Sequence, residues 1–193
     1  MKPHLRVASC QFPVSDEVAK NAGYIRTYMK RAHKAGAHLL HTSEACLSGY
    51  AGSDFESFDE YDWDLLRGET DHLRLLAKDL GIWLILGSSH FLGEDTKPTN
   101  CLYVVSPKGR IADRYDKGMY TTGDQKVYSA GNRLVSRTIN GVVVGFAICY
   151  DICYPQIYAA YREKGAELML HSFYNARGHG PNCLDVLNRH QVT

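Results

Sequence analysis

A run of apolar, largely β-branched residues from Val142 to Ile148 stops abruptly at Cys149. Such a run reads as a buried strand. It is followed by a short polar turn and then by Pro155, well placed for the first turn of a helix that Gln156 to Lys164 can continue. A chain carrying this strand–turn–helix unit has to bury the strand in a sheet. Cys149 then stands at the sheet's end, near the positive end of a helix, and both features favour a thiolate. A free cysteine with a pKa of about 8.5 is only about 3% ionised at pH 7, and lowering that pKa by about two units makes it mostly thiolate. The competing reading is a cysteine acting as one more small core hydrophobe.

The rest of the chain supplies layers for that strand. His4 to Phe12 alternates as a first strand and ends at Pro13. Ser15 or Asp16 can cap a helix reaching about Ala35, closed by Gly36, with Val18, Ala22, Ile25, Met29 and Ala32 on one face. Ala37 to Ser43 is a second strand with Glu44 at its carboxyl end. Ala51 to Tyr61 reads as a surface loop. A second helix opens at Asp62 or Asp64 and stops at Gly81, and Ile82 to Phe91 is a third strand. Thr99 to Ser106 and Arg110 to Tyr115 form an antiparallel pair across Pro107-Lys108-Gly109, with Lys117 just beyond. Gly118 to Gly131 reads as a loop. Leu134 to Ile139 pairs with Val142 to Ile148 across Asn140-Gly141, a strong hairpin signal. Glu167 to Phe173 is a further strand, and Leu184 to Thr193 an amphipathic piece. Helices interleaved with strands that mostly pair antiparallel imply a layered α/β protein whose sheet is not purely parallel.

Bulk properties narrow the function classes. The 193 residues carry a net charge of +1, so no basic or acidic field points to nucleic acid or a membrane surface. A single domain, 1–193, is expected from the length. The six cysteines are scattered through apolar runs, which fits reduced thiols in a cytoplasmic protein better than a disulfide framework. No apolar run approaches the roughly 20 residues of a membrane span.

Glu44, Lys117 and Cys149 all stand at carboxyl ends of strands, where ligand sites of such folds gather. Singly, each has a plain structural explanation. Three blocks carry more: Leu39-Leu40-His41-Thr42-Ser43-Glu44 with Gly49-Tyr50 following; Asp113-Arg114-Tyr115-Asp116-Lys117; and Gly145-Phe146-Ala147-Ile148-Cys149-Tyr150-Asp151, followed by Gly165-Ala166-Glu167-Leu168. In these blocks, their order and their spacing, the chain resembles the carbon–nitrogen hydrolase family, the nitrilase superfamily. The opening Val7-Ala8-Ser9-Cys10-Gln11 is similar to that family's first strand.

The resemblance implies a four-layer α-β-β-α sandwich and a Glu44–Lys117–Cys149 triad. Cys149 would attack a carbonyl or nitrile carbon. Glu44 would carry the proton, provided burial raises its pKa. Lys117 and the backbone N–H of Tyr150 would stabilise the oxyanion. Asp124 stands where many members have a second acidic residue, and Tyr50, Phe173 and Tyr174, like Tyr150, are candidates to line the pocket. The implied activity is hydrolysis of a small amide or carbamoyl amide by water, with no organic cofactor or metal, in a homo-oligomer. Alternatives on the same residues are a nitrilase, an acyltransferase, or a silent relative that binds a ligand or partner. A metal or redox centre on Cys149, Cys153 and His171 is a separate reading, resting on a weak ligand spacing.

The chain departs from the family at Ser43, Asp116, Met119, Cys153 and Gln156, where proline, arginine, histidine, arginine and glutamate are frequent. Asp124 is one methylene shorter than the usual glutamate. The family continues past the segment beginning near Leu184, so the second sheet is expected to be incomplete, and these 193 residues are expected not to form a stable active monomer by themselves.

Overall fold

The structure, a computed structural model, describes residues 4–174. The amphipathic piece expected from Leu184 lies outside the described residues. Strands β1 (Val7–Ser9), β2 (Leu39–His41), β3 (Trp83–His90), β4 (Thr99–Val105) and β5 (Ile111–Asp116) form one sheet in sequential order. Strands β6 (Ser136–Ile139), β7 (Val142–Ile148) and β8 (Leu168–Ser172) form a second sheet. Among the described residues, pairing is evenly divided rather than mostly antiparallel: β1–β2, β2–β3 and β7–β8 are parallel, while β3–β4, β4–β5 and β6–β7 are antiparallel. The parallel pairs are those joined by helices, which give the chain length for a crossover.

Alternation along the strands sorts the side chains into two cores. Leu40, Leu84, Leu86 and Val105 face α1 (Val18–Lys34) and α2 (Trp63–Leu80), packing with Ile25, Met29, Leu73 and Ala77. Leu39, Ile85, Leu102 and Val104 face the second sheet and meet Val144, Phe146, Ile148 and Leu170. On the far side of β7, a side chain at Gly145 would run into Tyr161 of α4 (Pro155–Glu163), its Cβ only 2.8 Å from the ring. Helix α4 therefore covers the outer face, and the layers run α-β-β-α as expected.

Local chemistry sets the boundaries. Asp62 accepts from the Leu65 N–H and caps α2, while Gly81 closes it at φ 63°. Helix α1 starts at Val18, later than the Ser15 or Asp16 cap implies. There the Asn21 side chain bonds both the N–H and the carbonyl of Ser15, at 3.2 and 2.7 Å, and holds that entry outside the helix. Asn140 and Gly141 turn the β6–β7 hairpin with φ of 49° and 82°, as their pairing predicts. The expected loop at Gly118 to Gly131 contains a short helix, α3 (Asp124–Val127).

Candidate active site

Strand direction collects the site. Strand β5 lies three places from β2, and the one parallel and two antiparallel pairings between them leave the two strands running the same way. Their carboxyl ends, followed by Glu44 and Lys117, thus share one end of the sheet. Reversed β4 brings its amino end there, with Asn100. Cys149 follows β7 directly, at the start of a 3-10 turn spanning Cys149–Cys153.

Two close backbone passages fix these strand ends. At Gly87 in β3, an added Cβ would sit 2.0 Å from the Ser43 carbonyl oxygen, so only glycine lets the chain cross there before Glu44. At Gly131 a Cβ would sit 2.2 Å from the Asp116 carbonyl, just before Lys117. The residues at the turns are themselves strained: Ala45 has φ 50° and Cys149 φ 43°. Left-handed backbone costs a non-glycine residue about 1–2 kcal/mol and persists where surrounding contacts impose it.

The side chains converge on one buried ammonium. Lys117 Nζ donates to Glu44 Oε1 at 2.8 Å and to Asp124 Oδ2 at 2.9 Å, with all three side chains at most 1% exposed. Glu44 Oε1 also accepts from Asn100 Nδ2 at 2.8 Å, and Oε2 accepts from the Tyr174 N–H at 2.8 Å. Asp124 is further bonded by the Tyr50 hydroxyl and by the Thr121 N–H at 2.9 Å. The Tyr50 ring lies 5.9 Å from Nζ and packs against the Tyr174 ring, with centroids 4.7 Å apart. Asp124 is thus no solvated loop acid, and its shorter side chain reaches Lys117 because α3 carries it inward.

Burial pushes the Glu44 carboxyl up from its ordinary range, opposed by Lys117. For Lys117, burial alone would lower the pKa, but Glu44, Cys149 and Asp124 outweigh it and keep the amine charged. Burial likewise disfavours ionised Asp124, and here Lys117 and the hydrogen bonds win, holding its pKa down. Cys149 is moved the other way from the thiolate expectation. Burial and then the Glu44 charge push its thiol well up, and Lys117 only partly compensates. Helix α4 begins at Pro155, beyond the intervening 3-10 turn, and a helix's field fades within its first turn. Burial, reinforced by the Glu44 carboxylate, therefore decides, and Cys149 rests as a neutral thiol beside Glu44.

Sequence reasoning missed the groups that hold this arrangement. Asp151, fully buried, accepts from the Ile148 N–H at 2.8 Å, the Met119 N–H at 2.9 Å and the Tyr115 hydroxyl at 2.7 Å, joining the Cys149 turn to the segment after Lys117. Ser172 donates to the Thr42 carbonyl at 2.8 Å and pairs with His41 Nε2 at 2.8 Å, tying the two sheets together below Glu44. The Glu44 N–H donates to the Phe173 carbonyl at 3.3 Å. Phe173 therefore contributes backbone to Glu44 while its ring stacks on His171. Tyr150 packs edge-on against Tyr154, and its N–H lies in the first turn of the 3-10 segment, where such groups lack a partner within the turn. Cys153 is exposed, and among the described residues no group of three His, Cys, Asp or Glu is arranged to hold a metal.

The carbon-nitrogen hydrolase family profile matches residues 6–191. The chain belongs to the carbon-nitrogen hydrolase family. Among curated relatives, a deaminated glutathione amidase of Bos taurus is 24% identical over 197 residues, covering 95% of this chain and 60% of its own length. An omega-amidase of Homo sapiens is 26% identical over 195 residues, covering 95% of this chain and 68% of its own. The chain thus spans 60–68% of the length of these two relatives. An amidase from Nesterenkonia sp. superposes with a TM-score of 0.82 at 22% identity, over 91% of this chain and 67% of its own, which shows that the two share a fold.

Proposed function

We propose that this protein is a thiol-dependent hydrolase of non-peptide carbon–nitrogen bonds, acting on a small amide or carbamoyl amide through a thioester on Cys149. The observation that carries the reading is the buried Lys117 ammonium bonded at once to Glu44 and Asp124, beside a neutral thiol in a strained turn. A charge cluster of this kind is costly to bury without a task for it.

In the proposed reaction, the Glu44 carboxylate takes the Cys149 proton as Sγ bonds to the substrate carbonyl carbon. The carbonyl π electrons move to oxygen. Lys117 has three N–H donors, two of them committed to Glu44 and Asp124. The third, with the Tyr150 N–H, receives the oxyanion. Collapse of the adduct breaks the carbon–nitrogen bond, and Glu44 returns its proton to the leaving amine. The carboxylate then activates water against the thioester, releasing the acid and restoring the thiol. A raised Glu44 pKa suits both transfers.

Amide chemistry is favoured by the relatives' amidase names. A mutant of the structurally similar Nesterenkonia amidase shows covalent addition of the acetamide moiety of fluoroacetamide at its active-site cysteine. The free thiols of the five described cysteines support a cytoplasmic setting. The homo-oligomer belongs to the same reading and is tested by light scattering.

The test is ammonia release from primary amides, carbamoyl amides and nitriles, with Cys149→Ala as the control. Release from amides that vanishes in the variant supports the proposal. Release from nitriles alone, or release that survives the substitution, rejects it.

A further inference from the structure

Two side chains that the proposed reaction does not use hold the Cys149 turn from behind. His171 lies opposite Ala147 in the β7–β8 register, and its Nε2 stands 3.1 Å from the Cys149 carbonyl oxygen. A carbonyl only accepts, so Nε2 carries the proton. In a neutral ring Nδ1 is then an acceptor, and the Tyr158 hydroxyl of α4 stands 2.5 Å from it. One tautomer satisfies both contacts. The Phe173 ring keeps the imidazole in plane, 4.1 Å away and inclined by 11°. Burial, which pushes the His171 pKa down to about 4, keeps the ring neutral near pH 7.

Peptide geometry says what this contact does. The described peptide bonds are all trans, and in a planar trans amide the C=O and N–H point in opposite directions. Fixing the Cys149 carbonyl toward β8 therefore aims the Tyr150 N–H the opposite way. Cys149 has left-handed backbone, φ 43°, so its peptide depends on outside contacts to stay in place. A hydrogen bond accepted by the carbonyl also polarises the N–H of the same amide.

We propose that His171, held as the Nε2–H tautomer by Tyr158, is a positioning residue that orients the Cys149–Tyr150 peptide so that the Tyr150 N–H can receive the oxyanion. This rests on Cys149 being the nucleophile, as proposed above, and its test does not need amide turnover. A simple aldehyde adds reversibly to a thiol: a carbon–sulfur bond forms, the carbonyl π bond breaks, and the thiol proton ends on the carbonyl oxygen, which occupies the oxyanion position. Iodoacetamide alkylates the same sulfur by displacing iodide and forms no oxyanion.

The experiment measures propionaldehyde affinity, as protection of Cys149 against iodoacetamide, together with the alkylation rate itself. It uses the full chain as wild type, His171→Leu, His171→Gln and Tyr158→Phe. His171→Leu is expected to weaken aldehyde binding about tenfold, the effect of losing one hydrogen bond, with the alkylation rate within about threefold. His171→Gln keeps an N–H donor at similar reach and is expected to recover most of the loss. Tyr158→Phe is expected to fall between wild type and His171→Leu. Aldehyde affinity unchanged in His171→Leu would overturn the inference, as would aldehyde affinity and alkylation falling together in both His171 variants. A wild-type thiol that binds aldehyde but turns over no amide would sink the amidase reading alone, and the variant comparison would still decide this inference. A wild-type Cys149 that binds no aldehyde would overturn both.

Discussion

Lys117 Nζ lies 2.8 Å from Glu44 Oε1, and neither side chain is exposed to solvent. Asp124 completes the cluster from the other side. Two carboxylates around one ammonium leave a local net negative charge, which adds to burial in keeping the neighbouring thiol protonated and makes the cluster depend on its lysine.

Lys117→Met should therefore damage folding as well as chemistry. It leaves Glu44 and Asp124 buried without their cation, a loss of about 3–5 kcal/mol. Urea denaturation of the variant checks this, and amide turnover should drop by about 10²–10³ where the protein remains folded.

Asp124→Asn keeps the shape and removes the charge. It should lower kcat by about 10–100-fold, the range of a charged hydrogen bond, with Lys117 still charged by Glu44. Tyr50→Phe should cost less, because Asp124 keeps its bonds to Lys117 and Thr121. Steady-state kinetics of the two variants side by side test the order.

Gly87→Ala tests the crossing beneath Glu44. A Cβ 2.0 Å from the Ser43 carbonyl forces the strand end to move. A destabilisation of about 1–3 kcal/mol is expected, with a larger loss of activity than Gly23→Ala, where an added Cβ meets nothing within 4 Å. Equal behaviour of the two variants would contradict the packing account.

Acid sensitivity follows from two buried histidines. Burial pushes both His41 and His171 down to about 4 in the folded protein. The unfolded chain binds those protons near pH 6.5, so it holds more protons than the native state between the two values. Stability should be intact above pH 6.5 and decline as pH falls toward 4, by up to about 3 kcal/mol for each histidine. Thermal melts from pH 7.5 to 4 check the direction, and His41→Gln should flatten the decline.

Much of this was legible in the sequence, for specific reasons. The strand ends that carry Glu44, Lys117 and Cys149 follow apolar runs closed by turns, so position along the chain already implied position in the sheet. Asn140-Gly141, Asp62 and Gly81 do locally what their chemistry requires. The state of Cys149 was not legible, because it depends on burial and on a carboxylate 105 positions away in the chain. Asn100 reaches Glu44 only because β4 runs backward between its neighbours. Asp151 looks like an ordinary turn residue until its three donors are seen. His171 carries no periodic or motif signal, since its role comes from strand register and one backbone carbonyl.

The most direct test of the central claim is intact-mass spectrometry of the protein, acid-quenched during turnover of a primary amide. The account predicts a mass increase equal to the substrate's acyl group, mapped to the peptide carrying Cys149 and absent from Cys149→Ala. Turnover with no acyl adduct at any quench time, or an adduct on another cysteine, would contradict it.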